Sequence, residues 1–107
     1  MISRQWRGIA KAEEADNYIH HLQSNTFPQL SGIDGFIRAE ILGRSTDKGI
    51  EFLIVTTWQS MEAIRQFAGE LAEIAVVPAA VQQMMVEYDK RVTHYDVIDA
   101  YFPELNG

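Results

Sequence analysis

The segment from Trp58 to Gly69 constrains this chain more than any other. An apolar run ends on Trp58, Ser60 stands where a side-chain oxygen can cap a helix, and Gly69 follows eight residues after Met61 as a C-terminal stop. A strand turning directly into a short capped helix is therefore fixed before any other element is placed.

The remaining elements arrange themselves around that turn. Ser3 to Ile9 reads as a first strand carrying Trp6, with Gly8 marking a bulge or a close approach. From Ala12 to Ser24 the positions Ala15, Tyr18, Ile19 and Leu22 follow the spacing of one helical face, and Glu13, Glu14 and Asp16 sit near its positive end. Asn25 to Gly35 holds Pro28, Ser31, Gly32 and Gly35 and predicts a loop. Phe36 to Arg44 and Ile50 to Trp58 predict two strands joined as a hairpin through Ser45–Gly49. After the Ser60–Ala68 helix, residues 71–77 fit helix, strand or loop equally. Pro78 then suits the first position of a short helix carrying Val81, Met84 and Met85, with a turn at Tyr88 and Asp89. Arg91 to Ile98 predicts the last strand, so residues 1–98 are expected to form one domain and 99–107 a tail whose Tyr101, Phe102 and Leu105 need cover.

The order β-α-β-β-α-β is that of an α+β, ferredoxin-like, split β-α-β arrangement: an antiparallel sheet with two helices on one face. A chain of 107 residues has nothing left to cover the other face. A second copy of the same sheet is the economical cover, which predicts a symmetric homodimer.

Composition mainly removes functions. A net charge of −6 with scattered Lys and Arg argues against a nucleic-acid partner. The longest apolar run, Ile74 to Val81, is too short to cross a bilayer and contains Pro78, and Met1 to Trp6 lacks the apolar core of a signal peptide. A soluble, cytoplasmic protein with no membrane partner is expected. Zero cysteines exclude a disulfide framework, a thiolate nucleophile and an iron–sulfur site, and neither metal nor cofactor is expected.

Six pieces together carry a family resemblance: Trp6-Arg7-Gly8, Ala15-Asp16-Asn17-Tyr18, Glu51-Phe52, the Trp58–Gly69 segment, Ala75-Val76-Val77-Pro78, and Val92-x-His94-Tyr95-Asp96-Val97. The chain resembles the antibiotic biosynthesis monooxygenase family of dimeric α+β barrels. That resemblance implies a homodimer whose relatives oxygenate polycyclic phenols with molecular oxygen, using no metal or flavin, in a pocket between sheet and helices. Such chemistry suits a substrate that ionises to an electron-rich anion, because the protein then needs only to position it, remove a proton and stabilise charge. A haem-degrading branch of the superfamily has an Asn on the first strand, a Trp on the helix and a later His. Here the first strand has Gln5 but no Asn, the helix has Phe67, and the His position falls near Val77, which argues against haem degradation.

The candidate site residues follow from both readings. His94 is a possible base near neutral pH, or equally a hydrogen-bonded histidine at a sheet surface. Asp96 shares its sheet face and can orient the imidazole. Trp58 and Phe67 can flank a flat substrate or pack the core, and Trp6 and Tyr95 have the same two roles open. Arg38 can hold a phenolate or carboxylate if its face lines a pocket, and is otherwise a surface charge. His20-His21 read as helix-end residues and Met84-Met85 as flexible packing. The expected function is a cofactor-independent monooxygenase acting on a small aromatic or polyketide-like compound. The alternatives are a non-catalytic small-molecule-binding or stress-related dimer and an isomerase, decarboxylase or cyclase on the same scaffold.

Overall fold

A computed structural model describes residues 1–103. Its sheet is antiparallel throughout. Strand β1 (Ile2–Ala10) pairs on one side with β3 (Ile50–Trp58), which pairs in turn with β2 (Phe36–Ser45). On its other side β1 meets two short strands, β4 (Met85–Tyr88) beside Gly8–Ala10 and β5 (Thr93–Asp96) beside Ile2–Gln5. The expected α+β architecture is thus present: the predicted last strand is found as β5, shorter than expected, and β4 is an additional strand that the sequence does not predict.

Alternation along β3 sets the layers. Phe52, Ile54, Thr56 and Trp58 are buried toward the helices, while their neighbours face the opposite side. Register then carries this facing across the sheet: Arg4 lies beside Thr56, Trp6 beside Ile54 and Gly8 beside Phe52. The predicted close approach at Gly8 is real, because a Cβ there would come within 2.6 Å of the Trp6 indole.

The first helical layer is longer than the sequence predicts. A 3₁₀ turn (Ala12–Glu14) leads into α1 (Ala15–His21), a π turn (Leu22–Thr26) and α2 (Phe27–Ser31), so most of the expected loop is helical. The π turn explains the error. It widens the helix just before Pro28, with the Phe27 N–H bonding the Leu22 carbonyl, and Pro28 then sits in the opening turn of α2, where no N–H is lost.

Helix α3 (Met61–Ala68) begins and ends as predicted. The Ser60 hydroxyl accepts from the Ala63 N–H at 3.2 Å, and Gly69 closes the helix at a φ of 83°, where a side chain would be strained. Replacing Ser60 by Ala should lower unfolding free energy by about 1 kcal/mol, read as a denaturant midpoint shift without a change in slope. An unchanged midpoint would show that the cap contributes nothing.

Helix α4 (Ala79–Met84) follows Pro78, which stands as its cap rather than its first residue. Two further expectations are corrected here. Met85 leaves the helix and starts β4, and Tyr88 belongs to that strand instead of a turn. Tertiary pairing with the exposed edge of β1 prevails over local sequence preference at this point. Ile98, expected to end the last strand, and the tail residues Tyr101 and Phe102 are exposed, and Leu105 lies outside the described residues.

Candidate active site

The space between the sheet and the helices is a cleft of about 600 Å³ including its open mouth. Its floor is Arg4, Trp6, Ile54 and Thr56 from the sheet. One wall is Tyr18, Leu22, Thr26, Phe27 and Leu30, and the other contains Phe67 and Val76–Pro78. The π turn therefore contributes directly to the site, since Leu22, Thr26 and Phe27 are brought to the cleft by it and the residue after it.

Aromatic packing gives the cleft its rigidity. Trp58 is fully buried and does not line the cleft; it stacks behind Phe67 with ring centroids 6.3 Å apart, and Phe36 packs edge-on against it at 5.2 Å. Its indole N–H donates to the Thr56 hydroxyl at 2.8 Å. Trp6 is held by its indole N–H, which donates to the Asp89 carbonyl at 2.8 Å. Of the aromatic candidates, Trp6 and Phe67 line the cleft and Trp58 supports it.

Arg4 is the residue that sequence reasoning missed. It is 5% exposed, and its guanidinium has no carboxylate partner among the described residues. Nη1 donates to the Ala72 carbonyl and to Nε2 of His94, the latter at 3.0 Å, and Nη2 donates to the Ile74 carbonyl at 3.4 Å. The guanidinium carbon lies 5.9 Å from the centre of the Phe67 ring. Burial lowers the Arg4 pKa to about 10, which leaves it a cation at neutral pH. A guanidinium has five N–H groups, so one on Nη2 and the one on Nε stay uncommitted among the described residues. An apolar, aromatic cleft with one unneutralised cation in its floor is suited to a flat anion.

His94 is placed by register directly beside Arg4 on β5. Arginine cannot accept a hydrogen bond, so Nε2 is the acceptor and the ring proton is on Nδ1. Burial first, and the Arg4 charge second, lower the His94 pKa, against a smaller opposing pull from Glu73. The imidazole is therefore neutral at pH 7. Because the folded protein binds this proton less readily than the unfolded chain, protonation favours unfolding. Stability should be flat in this respect above the ordinary imidazole value of 6.5 and should fall as pH drops below it. A His94→Gln variant should lose that component of the pH slope between neutrality and the onset of carboxylate titration. An identical slope would remove His94 from the effect.

The other candidates lie elsewhere. Asp96 shares the face of His94 but is exposed, and no hydrogen bond joins the two; the partner of His94 is Arg4. Tyr95 is 55% exposed and faces the opposite side of the sheet. Arg38 pairs with Glu40 at 3.4 Å on that same outer face, because its cross-strand neighbour Thr57 points away from the helices. The anion-holding role considered for Arg38 is thus corrected: the cation in the cleft is Arg4.

The family model for antibiotic biosynthesis monooxygenase matches residues 1–84. No curated protein matched the chain. Among solved structures, an antibiotic biosynthesis monooxygenase assigned as such in Bacillus cereus is similar at a TM-score of 0.66 with 13% identity, covering 96% of each chain. One from Deinococcus radiodurans aligns at 0.63 with 17% identity, covering 97% of this chain and 99% of its own. A monooxygenase from the gene ActVA-Orf6 of Streptomyces coelicolor, in complex with nanaomycin D, aligns at 0.61 with 11% identity over 96% and 92%. At these identities the three structures establish the fold. Among the described residues no helix is long and apolar enough to cross a membrane.

Proposed function

Because the chain belongs to the antibiotic biosynthesis monooxygenase family, whose model covers residues 1–84, we propose that it is a cofactor-independent monooxygenase acting on a small aromatic or polyketide-like phenol. The substrate lies in the cleft between sheet and helices. The single observation that carries this reading is Arg4, a buried cation without an acidic partner among the described residues, on a mostly apolar floor. A phenol bound there ionises more readily, because its anion gains a charge-assisted hydrogen bond in a site where water competes poorly.

His94 is bonded to Arg4 and is not among the residues that line the cleft, so it is the candidate base once that contact opens. A substrate oxygen that takes over the Nη1 hydrogen of Arg4 leaves the Nε2 lone pair free to accept the phenolic proton, and the imidazolium and guanidinium then flank one phenolate. The ring carbanion character of that phenolate reduces molecular oxygen. At an activated methylene the outcome is a carbonyl, with one oxygen atom kept in the product and the other released as water. Asp96, exposed two residues on, is left outside the reacting group.

Oxygen uptake with a panel of anthrones and quinols, run beside anaerobic controls, tests the reaction. Consumption of oxygen and substrate in equal amounts supports it. Substrate loss without oxygen would indicate an isomerase, decarboxylase or cyclase, and binding without turnover a carrier on the same scaffold.

The same reading includes a homodimer formed through the outer sheet face. Leu42, 48% exposed, stands there beside the Arg7–Glu51–Arg44 ion-pair cluster and Tyr95 lies farther along the same face, a mixture of apolar and charged groups suited to a partner's sheet. Sedimentation should give twice the 12.2 kDa of one chain. A monomer at micromolar concentration would contradict the dimer.

A further inference from the structure

The cleft contains a second polar group that the proposed chemistry does not use. Tyr18 is 2% exposed, and its ring packs between Trp6 at 6.2 Å and Phe52 at 5.1 Å. A buried tyrosine hydroxyl ordinarily finds a hydrogen-bond partner. The Tyr18 hydroxyl makes none among the described residues. Among the described residues no side-chain oxygen or nitrogen fully sealed from solvent is left unpaired, so this hydroxyl reaches open space, and the open space that Tyr18 lines is the cleft.

Register separates Tyr18 from Arg4. Tyr18 packs on Phe52, whose cross-strand neighbour is Gly8, whereas Arg4 sits beside Thr56. Phe52 and Thr56 are four residues apart on β3, roughly 13 Å at the rise of a strand. Trp6 and Ile54 form the apolar floor between them.

We propose that Tyr18 is a specificity-determining contact, donating a hydrogen bond from its phenol to an uncharged oxygen at the end of the ligand opposite the one held by Arg4. The site then selects flat ring compounds that have an acidic oxygen at one end and a neutral acceptor, a carbonyl or ether oxygen, at the other. This rests on the reading that the cleft binds an aromatic anion at Arg4. Burial raises the Tyr18 pKa, so the group remains a neutral donor throughout the working range of pH and cannot replace Arg4 as the charged contact.

Titration calorimetry with two probes tests the assignment: 6-methoxy-2-naphthoate, which has both functions, and 2-naphthoate, which has only the acidic one. Wild-type protein should bind the methoxy compound about 3- to 10-fold more tightly, the range of one neutral hydrogen bond. Tyr18→Phe, which keeps the ring packing, should abolish that preference and leave 2-naphthoate binding unchanged. Arg4→Gln should weaken both probes alike. If wild-type protein shows no preference, or Tyr18→Phe weakens both probes equally, the Tyr18 assignment is overturned while the anion site stands. If Arg4→Gln binds both as wild type does, or neither probe binds wild type, the underlying reading of the cleft fails and the Tyr18 assignment with it. Absence of a preference in wild-type protein overturns the assignment even where a variant does not fold, and loss of the preference in Tyr18→Phe separates the hydrogen bond from the apolar contact of the added methyl.

Discussion

Replacing Arg4 by Gln should lower kcat/KM on an ionisable aromatic substrate by about 10²- to 10³-fold, the usual cost of removing one donor aimed at developing negative charge in a dry site. The loss should appear in kcat as well as KM, because the charge on the substrate oxygen is fully developed only after ionisation. Folding should suffer much less. Burying a guanidinium without a counter-ion disfavours the folded state, as its lowered pKa reflects, and glutamine retains a donor for the Ala72 or Ile74 carbonyls that Arg4 holds. A residue that costs stability and sustains activity is what a functional site exhibits. Arg4→Lys retains the charge without the planar fork and should fall between wild type and Gln. Steady-state oxygen uptake beside a thermal melt separates the two effects, and parallel losses of activity and melting temperature in both variants would mark Arg4 as structural.

Replacing Trp58 by Ala should have the opposite signature. Its side chain is fully buried, packed between Phe36 and Phe67, and donates to Thr56. Truncation to alanine leaves a large void and costs about 3–5 kcal/mol, a substantial part of the roughly 5–15 kcal/mol that holds a domain of this kind together. Phe67, freed from its stacking partner, no longer keeps its place in the cleft wall, so activity falls with stability. Urea unfolding measures the first effect. A loss below 1 kcal/mol would show that the pocket behind Phe67 collapses without penalty.

The strand-to-helix turn was legible because each of its signals is local. Ser60 caps, Gly69 stops, and Trp58 ends the strand without help from the rest of the chain. The first helix was legible only to its midpoint. Pro28 and the glycines after it read as a loop, and nothing in composition announces a π turn that lets a helix continue through a proline. Strand β4 was hidden for a different reason. Met84 and Met85 suit a helix, and it is the free edge of β1 that draws Met85–Tyr88 into the sheet.

The site was only partly legible, and Arg4 shows why. Trp6 was a candidate, and a strand puts residue 4 on the same face as residue 6, so alternation alone points an arginine toward the helices. What sequence does not contain is the cross-strand register that sets Arg4 between Thr56 and His94, or the 71–77 segment whose carbonyls hold its guanidinium. His94 was found as a titratable group near a family motif, but the partner expected for it was Asp96, two residues away, rather than Arg4, ninety residues earlier in the chain.

The central claim is that the cleft stabilises an aromatic oxyanion on Arg4, and the ionisation of a bound phenol measures it most directly. With 2-naphthol at saturating protein, the ultraviolet signature of the naphtholate should appear at least about one pH unit below its midpoint in water, the shift that one nearby opposite charge produces. In a folded Arg4→Gln variant the midpoint should rise to its value in water or above it, because an apolar cleft without the cation disfavours the naphtholate. An unshifted midpoint in the wild-type protein, or an equal shift in the variant, would contradict the account.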